Sequence, residues 1–288
     1  MSGEDDIKRE IPHLIVLGIL LLILLFVVTK FKWVHCSQVP GNWCSVYCGI
    51  SGHSRIALVS GDSGTGNPSA LYNLSSNARE YTFISNYPAE AISASQLRGF
   101  ELVIFERMTR LTPKQEKAVR EYADSGGNII WIADAGTQRY LTPGDLQDAL
   151  NRNESDPGYY EWYVKEVNRT KGFGALGSLF KATFQRMENS TSGKPLYLKV
   201  ADRDALATRG MNFTFETNAR QAAVINPDVS AAQILYSVYG TKTCTFASPC
   251  PAIIAHKYVG YVVYSAIPLE DIKSVTALAN LYDFLVSC

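Results

Sequence analysis

The sequence has no excess charge of either sign: 288 residues hold 27 basic and 27 acidic side chains. Nucleic-acid binders usually carry a basic excess or stripe, so no nucleic-acid partner is expected. Charged residues make up only 19% of the chain and aromatic ones reach 11%, which excludes a charge-rich disordered tail. Histidine is scarce, with four in all: His13, His35, His53 and His256. Cysteine is absent before Cys36. Internal repeats and low-complexity linkers are also missing, which excludes a solenoid and a string of linked modules.

What is present is unevenly placed. Ile11 to Val28 reads IPHLIVLGILLLILLFVV, without a charge. At 1.5 Å per residue this run spans about 27 Å, enough to cross a bilayer core. From Leu14 to Val28 it has no polar face, unlike the helix of a soluble core. Trp33 suits the membrane interface. No small-x-small cleavage site follows, so the run is expected to be an uncleaved anchor in the lipid bilayer. Lys8 and Arg9 precede it and Lys30 and Lys32 follow it, which leaves the positive-inside rule tied.

Two features break the tie. All six cysteines (Cys36, Cys44, Cys48, Cys244, Cys250, Cys288) follow the run, as expected of disulfides in an oxidising compartment. Five N-x-S/T sequons also follow it, at Asn73, Asn153, Asn168, Asn189 and Asn212. The implied organisation is a cytoplasmic tail over 1–10, an anchor over 11–33, a cysteine-rich juxtamembrane segment over 34–54 and an extracytoplasmic domain over 55–288. Cys44-x3-Cys48 beside His35 and His53 admits a zinc cluster as well as a disulfide knot, although the spacing is loose for zinc. Cys244 and Cys250, in CTFASPC, are expected to close a short loop. Connectivity among the remaining cysteines stays open.

The domain reads as α/β. RIALVSG (Arg55–Gly61), Tyr81–Ser85, ELVIF (Glu101–Phe105) and NIIWI (Asn128–Ile132) are short apolar runs joined by helical stretches, the pattern of a parallel sheet covered on both faces. Thr112-Pro113-Lys114-Gln115 opens one of these helices with a capping box and Gly126-Gly127 stops it. Thr142 to Met187 reads as a helical insertion at about 140–190, with helices from Thr142, over Tyr159–Val167 and over Ala175–Met187. Tyr159, Tyr160, Trp162 and Tyr163 form an aromatic cluster there, suited to local packing or to a sugar- or partner-binding face. Strands then resume at 196–200, 222–225, 233–238, 252–256 and 260–265, and Leu269–Val286 contains a closing helix. The expected fold class is a doubly wound, mostly parallel sheet with a helical insertion, preceded by one transmembrane helix.

In such a sheet ligands bind beyond the carboxyl ends of the strands. With strand order 2-1-3-4, Asp62, Glu106 and Asp134 would share a crevice with Arg107 and Thr137. Three carboxylates there need a proton, an arginine or a cation. A divalent metal such as Mg²⁺ would suit oxygen ligands, and an envelope hydrolase of a carbohydrate or phosphoester could use it. The plainer role of Asp62 and Asp134 is to cap turns and helices. Ser63-Gly64-Thr65-Gly66-Asn67 could present N–H groups to an anion at a helix N-terminus. This loop resembles the flavodoxin phosphate loop, T/S-x-T-G-x-T, which would imply a flavin-binding redox domain; Pro68 stands where the last hydroxyl should be.

A wider resemblance runs from Arg55 to the end. Leu111-Thr112-Pro113, Tyr122-Ala123-Asp124-Ser125-Gly126-Gly127-Asn128-Ile129-Ile130-Trp131-Ile132 and His256-Lys257-Tyr258-Val259-Gly260-Tyr261-Val262-Val263-Tyr264-Ser265, with Asn280-Leu281 in the terminal helix, resemble the class I glutamine amidotransferase-like superfamily. The likeness is to its non-amidotransferase branches, which implies a flavodoxin-like fold. Amidotransferases carry a nucleophilic Cys in a G-x-C-x-G turn. With Gly136 as the final glycine, Asp134 stands at the Cys position and Ile132 at the first glycine, so glutamine hydrolysis is not expected. The resemblance therefore implies a binding or assembly domain at the cell envelope, with other membrane proteins as partners and no cofactor.

Overall fold

The computed structural model describes residues 3–30, 34, 36, 39–78, 82–211 and 213–286. Lys32, Trp33, His35, Tyr81, Asn212 and Cys288, named above, lie outside the described residues. The chain forms two compact units, an N-terminal one ending at His53 and a second over Ser54–Val286.

The first unit begins with helix α1 (Gly3–Lys30). Its segment Pro12–Lys30 is long and apolar enough to cross a membrane by length and composition, a property that signal sequences share. Pro12 lies inside the helix rather than at its first turn, because the helix extends back into the charged segment. Thr29 donates to the Leu25 carbonyl at 2.8 Å and accepts from the Trp43 indole at 3.1 Å. Trp43 opens helix α2 (Trp43–Ser51), in a stretch read from sequence as a disulfide knot or a zinc cluster, without a helix. Cys36 and Cys44 form a disulfide, and Cys48 is disulfide-bonded too. The zinc reading of this segment is therefore corrected: zinc needs thiolates, and these sulfurs are oxidised.

In the second unit the elements run β1 (Ser54–Ser63), α3 (Pro68–Ala78), β2 (Thr82–Pro88), α4 (Ala94–Leu97), β3 (Leu102–Met108), β4 (Arg110–Leu111), α5 (Pro113–Asp124), β5 (Asn128–Ile132) and β6 (Gln138–Arg139). Next come α6 (Pro143–Ser155), α7 (Tyr159–Arg169), α8 (Gly177–Phe180), β7 (Ala182–Asn189), β8 (Tyr197–Val200), β9 (Thr214–Glu216) and β10 (Gln221–Pro227). The chain closes with β11 (Gln233–Tyr239), β12 (Cys250–Lys257), β13 (Tyr261–Ser265) and α9 (Val275–Leu285).

The main sheet has nine strands in the order β2-β1-β3-β5-β13-β12-β11-β8-β9. The first five are mutually parallel. Their alternate residues face opposite sides. Ile56, Leu58, Ile104 and Ile130 join Leu71 of α3 and Leu278, Leu281 and Tyr282 of α9 in one core. Ala57, Val59, Phe105 and Trp131 join Leu97 of α4 and Val119 and Tyr122 of α5 in the other. Helix α5 has the expected capping box between Thr112 and Gln115, with Pro113 in its first turn.

The rest of the sheet differs from the mostly parallel expectation. The pairings from β13 outwards through β12, β11, β8 and β9 are antiparallel. For β12 and β13 the reason is connection length: they are joined by Tyr258-Val259-Gly260, far too short for the crossover that a parallel pair needs. Strand β10, read as part of the main sheet, instead pairs antiparallel with β7. The helix expected over Ala175–Met187 stops as the single turn α8. Lys181 turns left-handed (φ 53°), and the next eight residues extend as β7, with Phe184 and Met187 packed on the core. On the α6–α7 hairpin Tyr159 stacks on Tyr163, Arg152 covers Tyr159 and Trp162 stays exposed.

The two segments Gly126-Gly127 and Gly260 meet. A Cβ on Gly260 would lie 2.4 Å from the Gly127 carbonyl oxygen and 2.6 Å from that of Gly126. Backbone cannot yield there as a flexible side chain can. Gly260→Ala is therefore expected to lower stability by about 1–3 kcal/mol, the usual range for overpacking. Urea denaturation of the wild type and the variant measures it.

Candidate functional site

The carboxyl ends of β1, β3, β5 and β13 lie side by side, and the loop after each contributes to one region. The loop after β1 turns through Gly64 (φ 121°) and Gly66 (φ 120°) into α3. Both glycines are required: a Cβ would meet Thr109 Oγ1 at 2.5 Å or Glu106 Oε1 at 2.4 Å. Asp134 Oδ1 accepts the Thr65 N–H at 2.9 Å, and its Oδ2 accepts the Thr109 hydroxyl at 3.0 Å. Glu270 Oε1 accepts the Asn67 N–H at 2.5 Å, at the start of α3. Two N–H groups of the expected anion loop are thus bonded to carboxylates of the chain itself. Thr65 Oγ1 also accepts from Gln221 at 3.2 Å.

Glu106 is fully buried, and neither carboxyl oxygen receives a conventional hydrogen bond. Glu270 faces it, and two carboxyl groups bond each other only through a shared proton. Burial first, then the Glu270 carboxyl group, pushes the Glu106 pKa up to about 10. Burial and Glu270 also raise Asp271, to about 6. The acids that gather are therefore Glu106, Glu270 and Asp271.

The trio expected from sequence is not brought together. Asp62 is exposed and lines a separate cleft of about 130 Å³ with Glu90, Arg110 and Tyr140. Glu106 lies under Gly66, and Asp134 ties down the β1 loop. Arg107 is exposed at φ 50°, and Thr137 donates to the Asp134 carbonyl at 2.8 Å. Among the described residues no group of three or more His, Cys, Asp or Glu is arranged to hold a metal ion. Glu270 and Asp271 were missed because Leu269–Val286 was read as containing the closing helix. The available signal was their place just past β13, the fifth parallel strand.

Above the acids is a crevice of about 500 Å³, lined by Thr65, Asn67, Asn218, Arg220, Glu270 and Asp271 among others. No family model matches this sequence, and no curated protein matches it. Its fold is similar to that of solved proteins. The beta-galactosidase from Rahnella sp. R3 superposes with TM-score 0.55 at 14% identity, over 84% of this chain and 32% of its own. That from Bacillus circulans sp. alkalophilus gives 0.54 at 14%, over 81% and 30%. A ThuA-like protein from Bacteroides uniformis gives 0.52 at 13%, over 80% of this chain and 91% of its own. At these identities the likeness is one of fold. The chain spans about a third of the length of the two beta-galactosidases.

The turn after β5 has its left-handed residue at Ala133 (φ 51°), one position before Asp134. Here the residue is an alanine with its side chain fully buried. Of the sequons, Asn73, Asn168 and Asn189 are exposed, while Asn153 Oδ1 accepts the Gly158 and Tyr160 N–H groups. Cys244 and Cys250 form the short-loop disulfide. His256 Nδ1 pairs with the Ala231 carbonyl at 2.9 Å.

The shared proton has a consequence for stability. Below about pH 4.5 the native and unfolded chains both hold it. As pH rises towards 10, the unfolded chain releases it while the buried pair keeps it. Stability then falls by about 1.4 kcal/mol per pH unit through neutrality. Glu106→Gln, which cannot ionise, is expected to flatten that slope between pH 6.5 and 9. Denaturant titrations at several pH values measure it, and an unchanged slope would show that the pair holds no proton.

Proposed function

We propose that this chain is a single-pass, membrane-anchored α/β domain of the non-amidotransferase branch of the class I glutamine amidotransferase-like superfamily. Its N-terminus is cytoplasmic, its α/β unit is extracytoplasmic, and it acts in binding or assembly at the cell envelope. The observation that carries the reading is the site itself. Asp134, at the amidotransferase Cys position, has both carboxyl oxygens bonded to Thr65 and Thr109, and the Asn67 N–H is held by Glu270. What remains open to a partner is the crevice, with Arg220, Asn218 and Asp271 on its walls. The apolar segment Pro12–Lys30 and the disulfides Cys36–Cys44 and Cys244–Cys250 support an anchor and an oxidising compartment.

The full chain is expected to stay with membranes after alkaline extraction and to lack glutamine hydrolysis. Solubilised in mild detergent, it should migrate above monomer size on native gels. Arg220→Glu, at an exposed crevice residue, should shift it towards the monomer without lowering its melting temperature. A soluble, shortened product would refute the anchor. Monomeric migration of the wild type would refute the assembly role.

A further inference from the structure

The amino ends of the parallel strands form one edge of the α/β unit, and the chain enters that edge at Ser54, the first residue of β1. The β12–β13 turn belongs to the same edge, because β12 runs antiparallel to β13 and ends where β13 begins. So does the turn into β11: His256 Nδ1 meets the Ala231 carbonyl at 2.9 Å, and Gln233 pairs with Ala255. Further along, the Val200 N–H donates to the Phe213 carbonyl at 2.9 Å, just before β9. Each of these segments carries an exposed apolar side chain. Val259 is 55% exposed and Val229 73%, and the Tyr258 and Phe213 rings are exposed too. Lys199 and Arg203 stand over the Phe213 ring at 5.0 and 4.7 Å, and long basic side chains can reach from an apolar contact to headgroups. Four acids of this edge are occupied within the chain: Glu101 accepts from Ser54, Asp124 from Tyr258, Asp202 from Gln233 and Asp228 from Ser230.

The chain reaches this edge from the first unit by a short path. In that unit Trp43 is bonded to Thr29, within the apolar segment Pro12–Lys30. Helix α2 then runs nine residues to Ser51, a rise of about 12 Å from Trp43. The step from Ser51 to Ser54 adds about 11 Å at full extension. Ser54 therefore stays within about 23 Å of Trp43, however the two units are oriented. Nine strands about 4.8 Å apart span about 38 Å, so the tether is shorter than the edge it holds. We infer that the amino edge of the sheet rests on the bilayer, with Val229, Val259 and Phe213 entering the boundary between headgroups and acyl chains. The inference rests on the anchor reading above. Because the anchor supplies proximity, the edge needs little affinity of its own. Acids and bases are mixed along it, so the contact does not require anionic lipid. The crevice, at the carboxyl ends of the same strands, is then turned away from the lipid and open to a partner.

The test uses the full chain reconstituted in phosphatidylcholine vesicles, with and without bromine near the headgroup end of the acyl chains. Bromine quenches a tryptophan in contact with it. The reporters are Val229→Trp, Val259→Trp and, beyond the carboxyl end of β13, Val275→Trp at the start of α9. All three positions are exposed, so the melting temperature should stay at the wild-type value. Brominated lipid is expected to remove much of the fluorescence added at 229 and at 259, with its emission shifted to the blue, and none of that added at 275. A chain that does not float with the vesicles refutes the anchor and the inference with it. Flotation with quenching at 229 or 259 no greater than at 275 overturns the inference and leaves the anchor standing.

Discussion

The β1–α3 loop answers to the chain's own carboxylates, and the site takes its form from that constraint. A helix N-terminus presents unpaired N–H groups and a partial positive charge, which together attract an anion. Here Glu270 fills the position at Asn67 and Asp134 the one at Thr65. Hydrogen bonds to charged groups contribute about 1.5–3 kcal/mol each, so an external anion must displace well-held internal ones. Glu270 can reach Asn67 only by coming against Glu106, and two adjacent carboxylates at a buried site cannot both ionise. The shared proton, the bare glycine at 66 and the polar crevice above them follow from one loop.

The two halves of the main sheet arise from two kinds of connection. β1, β2, β3 and β5 are linked through helices, and those links permit parallel pairing. Beyond β13 the pairing reverses: β12 joins β13 by a tight hairpin, while β8, the antiparallel partner of β11, precedes it by a long stretch that holds β9 and β10. The antiparallel half buries Ile253, Ile254, Leu235 and Val238 as thoroughly as the parallel half buries its strands. Hydrophobic patterning therefore looks alike in both and does not carry strand direction.

Overall neutrality conceals local gatherings of ionisable groups. Around the carboxyl ends of the parallel strands the chain gathers Glu106, Glu270 and Asp271. At the hairpin entering β13 it gathers Arg120, Lys181, His256 and Lys257. These four come from α5, the end of α8 and the end of β12, separated by up to 137 positions in the sequence. No window of the sequence contains the basic cluster, so a composition-based reading could not find it.

Much was legible in the sequence because it depends on neighbours along the chain. The apolar run after Ile11, the capping box at Thr112, the strand NIIWI and the Cys244–Cys250 loop each rest on residues a few positions apart. The site was legible only in part. Glu106 and Asp134 could be placed at strand ends, but their partners could not, since Glu270 stands 164 positions from Glu106 and Asp62 turns to another cleft. Likewise Ala175–Met187 has helical composition, yet its second half extends as β7 and pairs with β10 outside the main sheet. Local spacing determined which segments are helices, strands and caps. Tertiary structure decided strand direction beyond β13, which acids meet and where the charges collect, because burial and electrostatics act between side chains that only the folded chain brings within reach.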